Sequence, residues 1–79
     1  MNFDFSKHAL EQMELRGITK VAVEQILENP STTKEEDGII IYQSIVDNYL
    51  IRIFVNEIKD PKLIITVYKT SKIKKYNEG

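Results

Sequence analysis

The dipeptide Asp47-Asn48 separates two runs of eight residues, Ile39–Val46 and Tyr49–Asn56, both rich in Ile, Val, Tyr, Leu and Phe. β-Branched and aromatic side chains suit strands. Asp and Asn tolerate the positive φ that a two-residue hairpin turn demands. The two runs therefore read as an antiparallel hairpin. Its short turn sets the register, with Val46 opposite Tyr49. Alternation then places Ile40, Tyr42, Ser44 and Val46 on one face with Tyr49, Ile51, Ile53 and Val55. The other face holds Ile39, Ile41, Gln43 and Ile45 with Leu50, Arg52, Phe54 and Asn56. A third run, Leu63–Thr70, supplies another strand. Simple alternation sets its Leu63, Ile65 and Val67 against Ile64, Thr66, Tyr68 and Thr70, with the register across the intervening loop left open. The more apolar face should receive the rest of the core. The face with Gln43, Arg52, Thr66 and Tyr68 is expected to be exposed.

Upstream of residue 31 the pattern is helical. Ser6 is a candidate N-cap, followed by Ala9, Leu10 and Met13 at helical spacing, and Gly17 supplies a stop. Thr19 can cap a second helix with Val23, Ile26 and Leu27 as its inward stripe, ended by Asn29-Pro30. Residues 31–38 are polar and read as a linker that can hold a short edge strand. The expectation is an α+β fold in a single domain, 1–79. A helical hairpin (6–29) packs on one face of a three- to four-stranded antiparallel sheet (39–70), and a basic tail (71–79) follows.

The 79 residues are 42% hydrophobic and 29% charged, which argues against global disorder. With no Cys there is no disulfide, thiolate metal site or thiol nucleophile. No apolar run approaches the roughly 18 residues of a membrane span. The opening residues, Met1 to Phe5, lack the basic-then-apolar order of a signal peptide. A cytoplasmic chain with no membrane partner is the expectation. The net charge of −1 hides a split. Residues 1–60 carry six Lys and Arg against eleven Asp and Glu, whereas residues 61–79 carry five Lys against one Glu. Such asymmetry suits either a polyanion-binding end or a solubilising tail.

Candidate chemistry is confined to a few side chains. His8 is the single His, and the acids do not repeat at a ligand spacing, so no metal site and no cofactor are expected. There is no Gly-rich phosphate loop. His8 and Glu11 lie one turn apart on the first helix, and Arg16 ends it. Arg52 interrupts an apolar strand. Thr66, Tyr68 and Lys69 close the last strand, with Lys72, Lys75 and Tyr76 beyond. These residue types suit RNA cleavage without a metal. A base takes the ribose 2′-hydroxyl proton, cations stabilise the charged phosphorane, and an acid protonates the leaving oxygen. Histidine serves as acid or base near neutral pH, and Arg grips phosphate through paired hydrogen bonds. Each also has a structural role open to it: His8 as a surface or capping residue, Arg52 as an ion-pair partner, Tyr68 and Tyr76 as lids on a core edge.

The segment Phe5-Ser6-Lys7-His8-Ala9-Leu10-Glu11-Gln12-Met13-Glu14-Leu15-Arg16-Gly17-Ile18 resembles the opening of a family of small prokaryotic proteins catalogued as a domain of unknown function. That family's pattern is Ser-x-His-Ala-x-x-Arg-Met-x-x-Arg-Gly-Ile. Val23 to Pro30 resembles its second helix, and Ile64-Ile65-Thr66-Val67-Tyr68-Lys69 its last strand. The element order is also similar to BrnT-type and, more distantly, RelE-type ribonuclease toxins. Tyr49-Leu50-Ile51-Arg52-Ile53 resembles their Arg-bearing central strand, and Ile65 to Tyr76 their closing strand and basic tail. The resemblance implies helices on one face of a curved sheet and RNA on the other. It implies that His8, Arg52, Thr66 and Tyr68 are catalytic. Arg16, Lys69, Lys72 and Lys75 would bind phosphate, and a cognate antitoxin would be a partner. One departure stands out: Gln12 occupies the place of an Arg in the pattern, and a neutral amide cannot supply the positive charge that would stabilise a phosphate. Arg16 comes one turn later and is expected to point another way. A non-catalytic interaction module of the same fold, or a homodimer formed by sheet extension, are the competing expectations.

Overall fold

The computed structural model describes residues 3–74. The elements are β1 (Phe3–Phe5), α1 (Lys7–Arg16), α2 (Lys20–Glu28), β2 (Thr32–Glu36), β3 (Ile39–Val46), β4 (Tyr49–Asn56) and β5 (Lys62–Thr70). They make an α+β fold around one sheet of order β1-β5-β4-β3-β2.

Local sequence accounts for each helix boundary. Ser6 has extended backbone and its hydroxyl accepts from the Ala9 N–H at 3.0 Å, satisfying a donor that the first turn leaves open. Gly17 ends α1 at φ 66°, ψ 34°, a left-handed conformation that costs a residue with a Cβ about 1–2 kcal/mol. The Ile18 N–H then reaches back to the Met13 carbonyl at 2.8 Å, as in a Schellman motif. Both side chains are buried. Thr19 caps α2 through Ala22 N–H at 3.1 Å, and Val23, Ile26 and Leu27 are its buried stripe. In α1 only Ala9 and Met13 are buried, and Leu10 is 40% exposed. Of the three apolar residues at helical spacing, Leu10 thus stays outside the core. α1 runs along β5 and α2 lies against β3, so each helix rests on the sheet and α1 buries a narrow stripe. The expected helical hairpin is accordingly two helices with separate seats.

The β3–β4 hairpin has the register its turn dictates, Val46 opposite Tyr49 and Gln43 opposite Arg52. Asp47 and Asn48 sit at φ 51° and 68°. Asp37 and Gly38, at φ 51° and 80°, form a second two-residue turn between β2 and β3. The sheet has the edge strand that residues 31–38 are expected to be able to hold, β2. It differs from the wholly antiparallel three- to four-stranded expectation at its other edge, where β1 adds a fifth strand in parallel. β2 is a full edge strand whose sequence, Thr-Thr-Lys-Glu-Glu, lacks apolar alternation because four of its five residues are exposed. β1 pairs in parallel with the first residues of β5, a long-range contact that no local pattern announces.

The third strand departs from simple alternation. Phe54 pairs with Thr66 but Val55 pairs with Ile64, which leaves Ile65 as an extra residue in a bulge. The bulge puts Ile64 and Val67 on the same face. Both are fully buried, with Ile51, Ile53 and Val55 beside them and Ala9, Met13, Ile18, Val23, Ile26 and Leu27 above. Fully burying a side chain of this size stabilises by about 1.5–3 kcal/mol. The opposite face is not simply exposed. Gln43 is only 1% exposed, Ile41 and Leu50 are buried too, and Arg52, Thr66 and Tyr68 are half-buried. Central strands and long neighbouring side chains enclose this face, correcting the expectation for Gln43. Among the described residues no helix is long and apolar enough to cross a membrane.

Candidate functional site

The bulge carbonyl of Ile65 accepts the Ser6 hydroxyl at 2.7 Å, and the Ile64 carbonyl accepts the Ser6 N–H at 3.0 Å. The residue that caps α1 is therefore also bonded to β5. This seats the helix along the strand, with Ala9 and Met13 turned inward. His8, Gln12 and Arg16 recur at four-residue spacing and form the adjacent row. On the sheet, pairing aligns Thr32, Gln43, Arg52 and Tyr68 across four strands, with Lys34, Ile41, Phe54 and Thr66 in a neighbouring row. The helix row and these sheet rows meet at a cleft of about 500 Å³. His8, Arg16, Arg52, Thr66 and Tyr68 all line it, together with Gln12 and Phe54.

Both guanidiniums in the cleft are held in similar ways. Arg52 Nε donates to Gln43 Oε1 at 2.8 Å, and its Cζ lies 5.2 Å from the Phe54 ring centroid. Arg16 Nε donates to Gln12 Oε1 at 3.1 Å, and its Cζ lies 5.1 Å from the Tyr68 centroid. Arg16 Nη1 also donates to the Lys69 carbonyl at 3.2 Å. Guanidinium over an aromatic face is attractive through the ring quadrupole. Among the described residues no Asp or Glu lines the cleft. The arrangement is suited to an anion that can accept from two arginines next to an imidazole and two hydroxyls.

The structure brings His8, Arg16, Arg52, Thr66 and Tyr68 together. The reading that Arg16 points elsewhere is corrected, because a four-residue step turns a helix by only about 40° and keeps Gln12 and Arg16 in one row. Glu11 does not line the cleft and borders a neighbouring depression with Gln12, Glu14 and Leu15. Lys69 does not join the cleft. Strand alternation turns it to the other face, where Nζ sits 4.5 Å from the Tyr49 centroid and 3.5 Å from the Arg16 carbonyl. There its charge complements the C-terminal end of α1. Lys72 is exposed, and its N–H donates to Thr70 Oγ1 at 3.0 Å. Lys75 and Tyr76 lie outside the described residues. Two cleft residues, Gln12 and Phe54, and the buried Gln43 that holds Arg52 from behind were not singled out as contributors by sequence. The hairpin register already placed Gln43 opposite Arg52, so a polar residue in an apolar run was a usable signal there.

A second polar cluster lies elsewhere on the sheet. The Tyr42 hydroxyl donates to Glu57 Oε2 at 2.6 Å, and Lys62 Nζ pairs with Glu57 Oε1 at 2.9 Å. Burial, then the hydrogen bond to Glu57 and its negative charge, push the Tyr42 hydroxyl up to about 12. Burial acts to raise the Glu57 carboxyl, but the Tyr42 hydroxyl and the Lys62 ammonium together hold it below the usual range. Among the described residues no three His, Asp or Glu side chains gather as metal ligands would.

A family model described as a domain of unknown function, DUF4258, matches residues 5–69, and the chain belongs to that family. No curated protein and no solved structure gives a significant match.

Proposed function

We propose that this member of the DUF4258 family binds RNA in the His8–Arg52 cleft and cleaves it without a metal, as a toxin-like endoribonuclease. His8 takes the proton from a ribose 2′-hydroxyl, the freed oxygen attacks the adjacent phosphorus, and the 5′ oxygen leaves. Arg16 and Arg52 hold the phosphate and stabilise the charge that builds on it. Thr66 and Tyr68 position the substrate and assist return of a proton to the leaving oxygen. Lys72 and Lys75 anchor flanking phosphates, which makes binding salt-sensitive. The reading is carried by one observation: an imidazole and two guanidiniums converge on a cleft that no described acid lines. The resemblance in element order and strand segments read from the sequence is in keeping with BrnT-type and RelE-type toxins, and extends the proposal to a cytoplasmic protein silenced by a cognate antitoxin.

The test is cleavage of labelled RNA, free and ribosome-bound, by the purified protein in chelator. Wild type should cut, and His8→Ala should bind the RNA without cutting it. Equal background from both proteins on both substrates would remove the enzyme reading. A non-catalytic interaction module is the second reading, favoured by Arg16 being tied to Gln12 and to the Lys69 carbonyl. It predicts copurification of a small partner protein and no cleavage.

A further inference from the structure

We infer that Gln12 and Gln43 are positioning residues that orient the two cleft arginines without neutralising them, so that the cleft is a two-armed clamp for a phosphodiester or phosphoryl group. This deepens the RNA reading and rests on it only for the identity of the phosphate carrier.

The argument begins with what an arginine needs in order to grip phosphate. The planar guanidinium must be held so that it meets the oxygens in a defined geometry. A hydrogen bond at Nε together with a stacked ring sets both the plane and its rotation. Arg16 has Gln12 at Nε and Tyr68 beneath it, and Arg52 has Gln43 at Nε and Phe54 beneath it. The chain contains twelve Asp and Glu, and carboxylates are the stronger acceptors for a guanidinium. Even so, the acceptor at each Nε is an amide oxygen. An amide acceptor itself cancels none of the arginine's charge, where a carboxylate at the same nitrogen would cancel much of it.

Gln43 has further support. It is 1% exposed, so an unbonded amide there would be costly. Its Nε2 donates to Thr32 Oγ1 at 3.2 Å, which turns Oε1 toward Arg52. Edge strand β2 thereby helps to aim a cleft residue two strands away. The same assignment gives Gln12 a role. It is not a vacancy in the charge of the cleft but the holder of Arg16.

The test pairs Gln12→Glu and Gln43→Glu with Gln12→Met and Gln43→Met in the full chain. The probes are inorganic pyrophosphate and a single-stranded oligonucleotide with 2′-deoxy sugars, which cannot be cleaved through the 2′-hydroxyl. Binding is followed by titration, and Arg16 and Arg52 by the NMR signals of their Nε–H groups. Each Glu variant should keep its Nε–H hydrogen bond and its thermal midpoint. It should nevertheless bind both probes at least about fivefold more weakly, because a carboxylate near the bound anion repels it. The Met variants should lose the hydrogen-bonded Nε–H signature.

Glu variants that bind as tightly as wild type would overturn the clamp. So would Met variants with unchanged Nε–H signals, or oligonucleotide binding that leaves both arginine signals unmoved. In that last outcome the RNA reading would survive. Pyrophosphate binding with the expected arginine shifts but no oligonucleotide binding would sustain the clamp and remove RNA as the ligand. Binding of neither probe would remove both. If the buried Gln43 variants do not fold, the half-buried Gln12 pair on α1 decides the matter.

Discussion

Ser6 Oγ donates a 2.7 Å hydrogen bond to the carbonyl of Ile65, the extra residue in the β5 bulge. The same oxygen accepts the Ala9 N–H at the start of α1. One hydroxyl thus joins a helix start to a strand irregularity 59 positions away. His8 is two residues from Ser6, and Thr66 follows Ile65, so this bond brings one wall of the cleft to the other.

Ser6→Ala removes the cap and the anchor together. The expected cost is about 1–2 kcal/mol of unfolding free energy, or roughly 4–8 °C per kcal/mol in thermal midpoint for a domain of this size. Urea denaturation checks this, and a loss indistinguishable from zero would deny the bond its role. The NMR signals of His8 and Thr66 should also move, because the two walls lose their tie.

Tyr42 and Glu57 set stability at opposite ends of the pH scale. The Tyr42 hydroxyl is raised from 10.0 to about 12. Its contribution is therefore full below pH 10 and is lost as pH rises through about 12. Tyr42→Phe should cost about 1 kcal/mol at neutral pH and show a flatter alkaline decline than wild type. Glu57 is held below its ordinary value. Its contribution is present above the unfolded carboxyl pKa and fades as pH falls through the folded one. Glu57→Gln should flatten the acid limb. Denaturation midpoints measured across pH for the three proteins check both signs.

Arg52→Lys keeps the charge but removes the planar fork and the Nε bond to Gln43. Loss of paired, charge-assisted hydrogen bonds worth about 1.5–3 kcal/mol corresponds to roughly ten- to a hundredfold weaker RNA binding. Filter binding at fixed salt measures it. Binding equal to wild type would mean that Arg52 acts only as a point charge.

Two isoleucines calibrate the core. Ile53 is fully buried and Ile58 is 82% exposed. Ile53→Ala should cost about 2–5 kcal/mol, whereas Ile58→Ala should stay within about 0.5 kcal/mol. Chemical denaturation of the two variants separates them.

The amino-acid sequence by itself determined what local stereochemistry decides. Ser6, Gly17 and Thr19 mark helix ends because their side chains, or the lack of one, satisfy or permit particular backbone geometries within a turn. Asp47-Asn48 sets the β3–β4 register for the same reason, and that register puts Gln43 opposite Arg52. Tertiary structure alone decided the rest. The bulge at Ile65 exists because Ile64 and Val67 both gain by facing the core, a preference that alternation cannot express. β1 joins the sheet through partners nearly 60 positions away. Thr32–Glu36 becomes a strand because β3 offers hydrogen bonds, not because its residues favour one. The cleft depends on these long-range choices: its helix wall and its sheet wall meet only where α1 is tied to β5, and no periodicity in either segment records that closure.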